Sequence, residues 1–219
     1  MRGLYLVTDR ALCGDRGLET VVKQAVQGGV ACVQIREKDL STRDFVEEAA
    51  RIKALLAATR VPLIINDRLD VALAVGADGV HLGQNDLPCE AARRLLGPNA
   101  IIGLSVETWE DVEHAEHQPV DYLGVSPIFA TPTKTDTKGA WGLDGLAMIK
   151  AFSRHPLVAI GGLNQSNIAQ TVRAGADGIA VVSAICCAKD PEKVAAELNA
   201  LMRDKSYDQS AGGIRIVRL

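Results

Sequence analysis

Residues 62–86 read PLIINDRLDVALAVGADGVHLGQND and contain one complete unit of strand, helix and strand. The runs 62–67 and 79–84 are rich in Ile, Leu and Val, as expected for buried strands of a parallel sheet. The segment between them has apolar residues at helical spacing and closes at Gly76, a residue type that commonly ends helices. The stretch therefore predicts a β–α–β unit.

The junction between helix and strand in this unit occurs a second time. Residues 75–80 read VGADGV, and residues 174–179 read AGADGI. On both sides of this unit, β-rich runs recur along the whole chain, with amphipathic stretches such as 41–59 and 191–203 between them. The predicted strands cover residues 3–9, 31–38, 62–67, 79–84, 100–106, 120–128, 157–162 and 178–185.

Eight such units in 219 residues leave roughly 27 residues per unit, enough for a (β/α)8 TIM barrel. An open doubly wound sheet is the alternative, and it predicts a glycine fingerprint after the first strand. The sequence there is DRAL, and neither GxGxxG nor GxxxxGK[ST] occurs anywhere in the chain. We predict an α/β barrel as one catalytic domain over residues 1–204, followed by a C-terminal extension over residues 205–219.

The composition excludes several classes of protein. Hydrophobic residues make up 47% and charged residues 23%, which is typical of a globular domain and excludes disorder. The net charge of −3 provides no general basic surface for nucleic acid. The longest uncharged apolar stretch near the C-terminus, residues 178–188, is too short to span a membrane.

The N-terminus and the cysteines indicate a cytoplasmic protein. Asp9 and Arg10 interrupt the N-terminus before a signal-peptide core could form. The five cysteines are odd in number and lack metal-type CxxC spacing, which favours a reducing compartment. Cys186 and Cys187 are interpreted as core or near-core thiols rather than a vicinal disulfide.

In such a barrel, functional residues lie at the carboxyl ends of the strands. The second predicted strand ends in Gln34, Arg36 and Lys38, which alternate and therefore share one side. If that side faces the interior, three long polar side chains reach the barrel mouth. A solvated strand end is the alternative.

Two carboxylates follow neighbouring strands. Asn66 and Asp67 end the third predicted strand, and Asp86 follows the fourth. Such a pair suits Mg²⁺, which keeps several waters and takes phosphate oxygens of a substrate. Helix capping is the alternative, because Asp is a preferred cap residue.

The loop 130–141, ATPTKTDTKGAW, is the longest of the strand-to-helix connections. Thr131, Thr133 and Lys134 supply hydroxyls and a cation, and the length favours a lid over a plain soluble connection. Ser105, at the end of the fifth predicted strand, adds another hydroxyl.

Strands seven and eight end in small residues. Gly162 follows Gly161, and Val182 precedes Ser183, at the position where barrels of this type bind phosphate through backbone amides. Tight turns alone are the alternative. His81 is interpreted as a core or rim histidine, and His114 and His117 as part of a solvated helix face.

The predicted mouth therefore holds two anion sites. One is cationic with carboxylates for a metal, which suits a diphosphate, and the other is neutral and suits a monophosphate. A transferase that expels diphosphate fits this pair of sites, with electrostatic stabilisation of the leaving group as the main catalytic term.

The chain resembles the thiamine phosphate synthase family. The resemblance rests on YLVTDR, VQIREKD, LIINDRLDVALAVGADGVHLGQND, GLSVET, SPIFATPTKTD, AIGGL and AVVSAI, which occur in this order along the barrel. It implies transfer of a hydroxymethylpyrimidine group from its diphosphate to a thiazole phosphate. Diphosphate would leave first, and the thiazole nitrogen would attack the resulting methyl cation.

The resemblance also implies a role for each site residue. The pyrimidine diphosphate would contact Gln34, Arg36, Lys38, Asn66, Ser105 and Lys134, of which Arg36, Lys38, Ser105 and Lys134 would be catalytic. The thiazole phosphate would contact Thr131, Thr133, Gly162, Val182 and Ser183, and Mg²⁺ would bind Asp67 and Asp86. The expected partners are two phosphorylated small molecules, with neither nucleic acid nor membrane, and a homo-oligomer is left open.

Two other functions share these features. A related thiazole tautomerase would keep the barrel and the phosphate site but tends to lack the diphosphate residues. A non-catalytic sensor of phosphorylated ligands would not need two metal carboxylates beside a second anion site.

Overall fold

The computed structural model describes residues 2–131 and 139–203. Its strands are β1 (Gly3–Val7), β2 (Cys32–Ile35), β3 (Leu63–Asn66), β4 (Gly79–Leu82), β5 (Ile101–Val106), β6 (Tyr122–Val125), β7 (Leu157–Ile160) and β8 (Gly178–Val181). Each strand pairs in parallel with the next, and β8 pairs with β1, so that the sheet closes. The predicted (β/α)8 barrel is confirmed.

Helices follow the strands and cover the outside of the sheet. They are α1 (Arg10–Cys13), α2 (Leu18–Gln27), α3 (Thr42–Leu56), α4 (Leu69–Val75), α5 (Cys89–Leu96), α6 (Trp109–Ala115), α7 (Gly142–Phe152), α8 (Ile168–Arg173), α9 (Ser183–Cys186) and α10 (Pro191–Arg203). A short 3₁₀ turn, Gly14–Arg16, joins α1 to α2. Ser41 caps α3 by accepting a hydrogen bond from the Asp44 amide at 3.2 Å.

Seven of the eight strands end earlier than the sequence predicted, and β5 ends at Val106 as predicted. β2 ends at Ile35 rather than residue 38, so Arg36 and Lys38 lie in the following loop. The prediction of strand over residues 183–185 was wrong, because Ser183–Cys186 forms α9. Ile185 and Cys186 are buried there, and a short buried apolar run looks the same in a strand and in a helix.

The apolar core has two parts. The larger part lies between the strands and the helices, and the smaller lies inside the barrel around Tyr5, Ile64, Tyr122 and Val158. Glycine makes room for the large rings inside. A Cβ on Gly103 would lie 2.2 Å from Tyr122 Cζ and 2.4 Å from His81 Nδ1.

Three aspartates tie the amino-terminal end of the barrel together in the same way. Asp78, Asp121 and Asp177 each precede an even-numbered strand, and each accepts a backbone N–H from the start of the strand before it. Each also binds a cation of the helix that precedes that odd-numbered strand: Lys53, Arg93 and Lys150 in turn, at 2.7–2.8 Å. Asp78 and Asp177 are the aspartates of the two GADG sequences, so the repeat marks a structural contact between helix and strand at this end of the barrel.

The cysteines only partly match their interpretation. All five thiols are free; Cys186 is buried, as predicted, but Cys187 is exposed and is not a core residue.

Over residues 2–131 and 139–203, none of the helices combines the length and the apolar character needed to cross a membrane. The predicted extension, residues 205–219, lies outside the described residues.

Candidate active site

A cavity of about 820 Å³ opens at the carboxyl ends of the strands and extends down into the barrel. The predicted site residues that the structure describes all line it: Gln34, Arg36, Lys38, Asn66, Asp67, Asp86, Ser105, Thr131, Gly162, Val182 and Ser183. Thr133 and Lys134 lie outside the described residues. The fold thus brings together side chains that are spread over most of the sequence.

The cationic part of the cavity comes from the end of β2 and the loop after it. Gln34 belongs to the strand, whereas Arg36 and Lys38 extend from the loop. The Arg36 amide donates to Thr8 Oγ1 at 3.1 Å, which fixes the start of this loop against the end of β1. The alternation predicted from the sequence therefore continues past the end of the strand.

The carboxylates of Asp67 and Asp86 face each other within hydrogen-bonding contact. Asp67 has a φ of 62°, a left-handed conformation that is uncommon for a residue other than glycine. Its amide donates to the His81 carbonyl at 2.8 Å, and the Arg68 amide donates to the Asn66 carbonyl at 2.7 Å. This tight turn holds the Asp67 side chain at the cavity.

Helix capping does not explain either aspartate. Arg68 is the residue that precedes α4, and no side-chain bond caps that helix. Pro88 takes the same position before α5, while Asp86 Oδ2 accepts the Gly83 amide at 2.7 Å. The alternative considered for the two aspartates is therefore wrong.

The protonation of Asp67 reflects its surroundings. Burial, the hydrogen bond to Asp86 and the charge of Asp86 together raise the pKa of Asp67 to about 6. Arg36 and Lys38 lie close enough to act in the opposite direction. Two acidic groups and two cations thus share one side of the cavity, and a divalent cation would favour the ionised form of both carboxyls.

A polar network beneath the cationic part was not identified from the sequence. His81 Nε2 lies 2.8 Å from Ser105 Oγ, and His81 Nδ1 lies 2.9 Å from Tyr122 Oη. His81 is buried, as its interpretation as a core histidine required, but it also orients a predicted site residue. Gln84 adds a hydrogen bond to the Ser105 carbonyl at 2.6 Å.

The opposite wall consists of small residues and backbone. Gly162 has a φ of 66°, and a Cβ there would lie 2.8 Å from Phe129 Cβ and 2.9 Å from the Ala130 carbonyl oxygen. A side chain larger than hydrogen would therefore displace the loop that carries Thr131. Val182 and Ser183 face this turn from the end of β8 and the start of α9.

The two walls suit different chemical groups. Arg36, Lys38 and the aspartate pair can hold a polyanion together with a divalent cation. Gly162 and Ser183 can hold a singly phosphorylated group through backbone amides and a hydroxyl. Among residues 2–131 and 139–203, His, Cys, Asp and Glu side chains form no group of three or more that could enclose a metal alone. A cation at the aspartate pair would therefore take further ligands from water or substrate.

Known proteins match this chain over most of its length. A family model described as thiamine monophosphate synthase matches residues 4–185. The thiamine-phosphate synthase of Albidiferax ferrireducens is 59% identical over 91% of both chains, and that of Vibrio campbellii is 55% identical over 91% of this chain and 98% of its own.

The fold gives the same result. The solved structure of thiamine phosphate pyrophosphorylase from Pyrococcus furiosus matches with a TM-score of 0.83 and 39% identity, over 91% of this chain and 95% of that one. The chain belongs to the thiamine monophosphate synthase family, whose function is the synthesis of thiamine phosphate.

Proposed function

We propose that the cavity joins a pyrimidinylmethyl diphosphate to a thiazole phosphate, which releases diphosphate and yields thiamine phosphate. The observation that carries this proposal is the contrast between the two walls of one cavity. Arg36 and Lys38 stand beside the aspartate pair on one side, and Gly162 and Ser183 lie on the other. Two separate anion sites within one cavity suit a transfer between two phosphorylated molecules.

We assign the diphosphate to the side of the cavity that carries Arg36, Lys38, Asp67 and Asp86, which we call the cationic wall. Arg36 and Lys38 would bind its oxygens, with Lys134 added from the loop between β6 and α7. Ser105 would complete the diphosphate site, and Gln34 and Asn66 would orient the pyrimidine. Charge-assisted contacts of this kind are shorter and stronger than neutral hydrogen bonds, and they strengthen as charge grows on the leaving group.

We assign the thiazole phosphate to the opposite side, which carries Gly162, Val182 and Ser183 and which we call the neutral wall. Thr131, Thr133 and Ser183 would supply hydroxyls, and Gly162 and Val182 would supply backbone groups. The turn at Gly162 leaves no space for a side chain, so that the backbone itself can approach an anion.

The residues at the aspartate pair fit Mg²⁺. Burial and the contact with Asp86 raise the pKa of Asp67, and a divalent cation would offset the repulsion between the two ionised carboxyls. Asp67 and Asp86 would hold the ion. Its chemistry, when bound, is to neutralise charge that develops on diphosphate.

In the proposed reaction, the bond between the methylene carbon and the diphosphate oxygen breaks, and the electron pair leaves with diphosphate. The thiazole nitrogen then supplies the pair that forms the new carbon–nitrogen bond. Arg36, Lys38 and Ser105 act on the leaving group in this scheme, and the neutral wall holds the nucleophile in line. The cavity supplies positioning and electrostatic stabilisation rather than a covalent intermediate.

A thiazole tautomerase is the second function, and a specific observation argues against it. Such an enzyme needs the phosphate wall but has no use for the cations and carboxylates opposite, which this chain retains in one cluster. The same cluster is more than a phosphate sensor requires.

The proposal includes a cytoplasmic enzyme with small-molecule partners. The five free thiols favour a reducing compartment, and fractionation of cells measures the location. A homo-oligomer is compatible with this function, and sedimentation measures the oligomeric state. Residues 1–204 would form the catalytic unit and residues 205–219 an extension that a truncation tests.

The direct experiment is to incubate both phosphorylated substrates with Mg²⁺ and to measure thiamine phosphate. Lys38→Ala tests the cationic wall and Ser183→Asp the neutral wall, with Lys193→Ala on the exposed face of α10 as a control. We expect Lys38→Ala to lower turnover about 10- to 100-fold. Ser183→Asp should raise KM for the thiazole phosphate alone. Equal effects of Ser183→Asp on both KM values would contradict two separate sites.

A further inference from the structure

Behind the loop that carries Arg36 and Lys38 lies a second group of charged residues, outside the cavity. Arg36 and Lys38 line the cavity, but Glu37 between them is not part of its described lining. Glu37 points instead towards the helices, where it meets Glu48 of α3 and Arg10 of α1. We refer to these three residues as the Arg10–Glu37–Glu48 cluster.

The two carboxyl groups of the cluster are removed from water. The side chain of Glu37 is 8% exposed and that of Glu48 is 3% exposed, whereas Arg10 is 47% exposed. Arg10 Nη2 donates to Glu48 Oε2, and Arg10 Nε lies 3.7 Å from Glu37 Oε1. One cation thus serves two buried acids, which leaves an excess of negative charge if both are ionised.

The hydrogen bonding indicates how that charge is avoided. Among the described residues, Glu37 Oε1 and Glu48 Oε1 are both buried and have no hydrogen-bond donor. The two carboxyls nevertheless lie in hydrogen-bonding contact with each other. A proton on one carboxyl makes it a donor to the other and removes one negative charge, as in other carboxyl pairs that share a proton.

We propose that the Arg10–Glu37–Glu48 cluster is a positioning device that holds the loop after β2 from behind, so that Arg36 and Lys38 are directed at the diphosphate. This inference rests on the proposed function of the cationic wall. The backbone of Glu37 joins the two cations, so a carboxyl fixed to α1 and α3 fixes the direction of both neighbours. Only the protonated form of the pair satisfies both buried carboxyls at once.

The protonation has a pH range. Burial, followed by the charge and the hydrogen bond of Glu48, raises the pKa of Glu37 to about 7, against the opposing effect of Arg10. Asp9, between β1 and α1, is the other acidic group that faces Glu37 and also raises its pKa. Above neutral pH the pair carries two charges against one arginine, and the loop loses its hold.

The test compares two substitutions of one residue. Glu37→Gln keeps the shape and retains a hydrogen-bond donor at every pH, whereas Glu37→Ala removes the link to Glu48. At pH 6.5 we expect Glu37→Ala to raise KM for the pyrimidine diphosphate about 10-fold, as for the loss of one charge-assisted contact. KM for the thiazole phosphate should stay within about twofold in both variants, and Glu37→Gln should resemble the wild type.

The two variants also separate positioning from simple electrostatics. Removing a negative charge beside Arg36 and Lys38 would by itself strengthen the binding of an anion, so a purely electrostatic role predicts a lower KM in both. A lower KM for Glu37→Ala, or equal changes for both substrates, would overturn the proposal. Glu19→Gln serves as the control, because its ion pair with Arg51 is half exposed.

The pH profile gives a readout that an ordinary structural role would not change. Between pH 6 and pH 8.5, KM of the wild type for the pyrimidine diphosphate should rise relative to that of Glu37→Gln. Only in the wild type does the carboxyl pair of the cluster lose its proton over this range. The ratio of the two KM values cancels titrations of the substrate and of the aspartate pair. A ratio that does not vary with pH would contradict the proposal, even if Glu37→Ala failed to fold.

A binding measurement keeps this inference separate from the proposed function. Calorimetric titration of wild type and Glu37→Gln with inorganic diphosphate and Mg²⁺, at pH 6.5 and 8.5, requires no turnover. Weaker binding by the wild type at the higher pH, absent in Glu37→Gln, would support the cluster even if no thiamine phosphate formed. The same pH dependence in both proteins would refute it.

Discussion

The aspartates at the two ends of the barrel behave in opposite ways. Asp177, at the amino-terminal end, accepts hydrogen bonds from Lys150 and from the Leu157 amide. Asp67, at the carboxyl end, faces another carboxylate and adopts a strained backbone conformation. One end pairs each aspartate with a cation, and the other brings two acids together.

The pKa values record this difference. Burial alone would raise the pKa of Asp177, but the bonds from Lys150 and the Leu157 amide outweigh it and lower the pKa. Burial and the neighbouring Asp86 together raise the pKa of Asp67 to about 6. The amino-terminal end therefore gains stability from its charges, whereas the cavity end holds unfavourable charge that a ligand can relieve.

The largest expected effect is on turnover at the cavity end. Asp67→Asn keeps the shape of the side chain and suits the left-handed backbone, but it removes a proposed ligand of Mg²⁺. Turnover should fall about 100-fold or more, because a metal contributes several kcal/mol to stabilisation of the leaving group. A Mg²⁺ titration of activity for wild type, Asp67→Asn and Asp86→Asn measures this. Asp70→Asn, at an exposed ion pair with Arg68, is the control. Superimposable titrations would remove both residues from the metal site.

The next effect is on stability at the amino-terminal end. Asp177→Ala leaves the Leu157 amide and Lys150 without their acceptor. We expect a loss of about 1.5–3 kcal/mol in the free energy of unfolding, with kcat nearly unchanged. Urea denaturation beside steady-state kinetics separates the two quantities. A fall in kcat without a fall in stability would show that the two ends are not functionally distinct.

The third effect concerns pH, and its sign differs between the two ends. Without metal, Asp67 favours folding below pH 4 and loses that contribution as the pH rises through about 6, because its folded pKa is raised. Relative to Asp67→Asn, the wild type should lose about 1–2 kcal/mol over this range.

Asp177 should show the reverse behaviour. Its lowered pKa gives a contribution that is present above pH 4 and is lost as the pH falls further. Urea denaturation of wild type, Asp67→Asn and Asp177→Asn from about pH 2.5 to pH 7.5, with a chelator, compares the two. Parallel curves for the two variants would contradict the assigned pKa shifts.

The smallest effect concerns Lys150, the cation that binds Asp177 at the amino-terminal end of the barrel. Lys150→Met keeps the aliphatic part of the side chain but removes the partner of Asp177. Because the Lys150 side chain is 41% exposed, we expect a loss of about 0.5–1 kcal/mol that high salt reduces. A loss as large as that of Asp177→Ala would mean that the ion pair, and not the backbone hydrogen bond, accounts for most of the stability that Asp177 contributes.

The sequence predicted the positions of the strands better than their ends. The apolar runs located all eight strands, and the GADG repeat located two of the joints between helix and strand. It placed residues 183–185 in a strand because apolar character does not distinguish a buried strand end from the start of α9. It also placed Arg36 and Lys38 in the strand rather than beyond it.

The candidate site followed from topology once the barrel was predicted. Polar residues after parallel strands meet at one end, so Gln34, Asp67 and Ser105 could be placed together without coordinates. The contact of His81 with Ser105 and Tyr122 could not, since a single histidine in an apolar run reads as a core residue. A signal was present in Gly103 and Gly124, whose missing side chains leave space for the rings.

The sequence by itself determined the barrel, the end at which the chemistry lies and the family, because these depend on local periodicity and on motifs in a fixed order. Only the tertiary structure decided which charges meet. Asp67 faces Asp86, Glu37 faces Glu48, and Asp177 faces Lys150. The pKa of an aspartate or glutamate depends on burial and on neighbours that are distant in sequence, so identical residues acquire opposite roles only when the barrel closes.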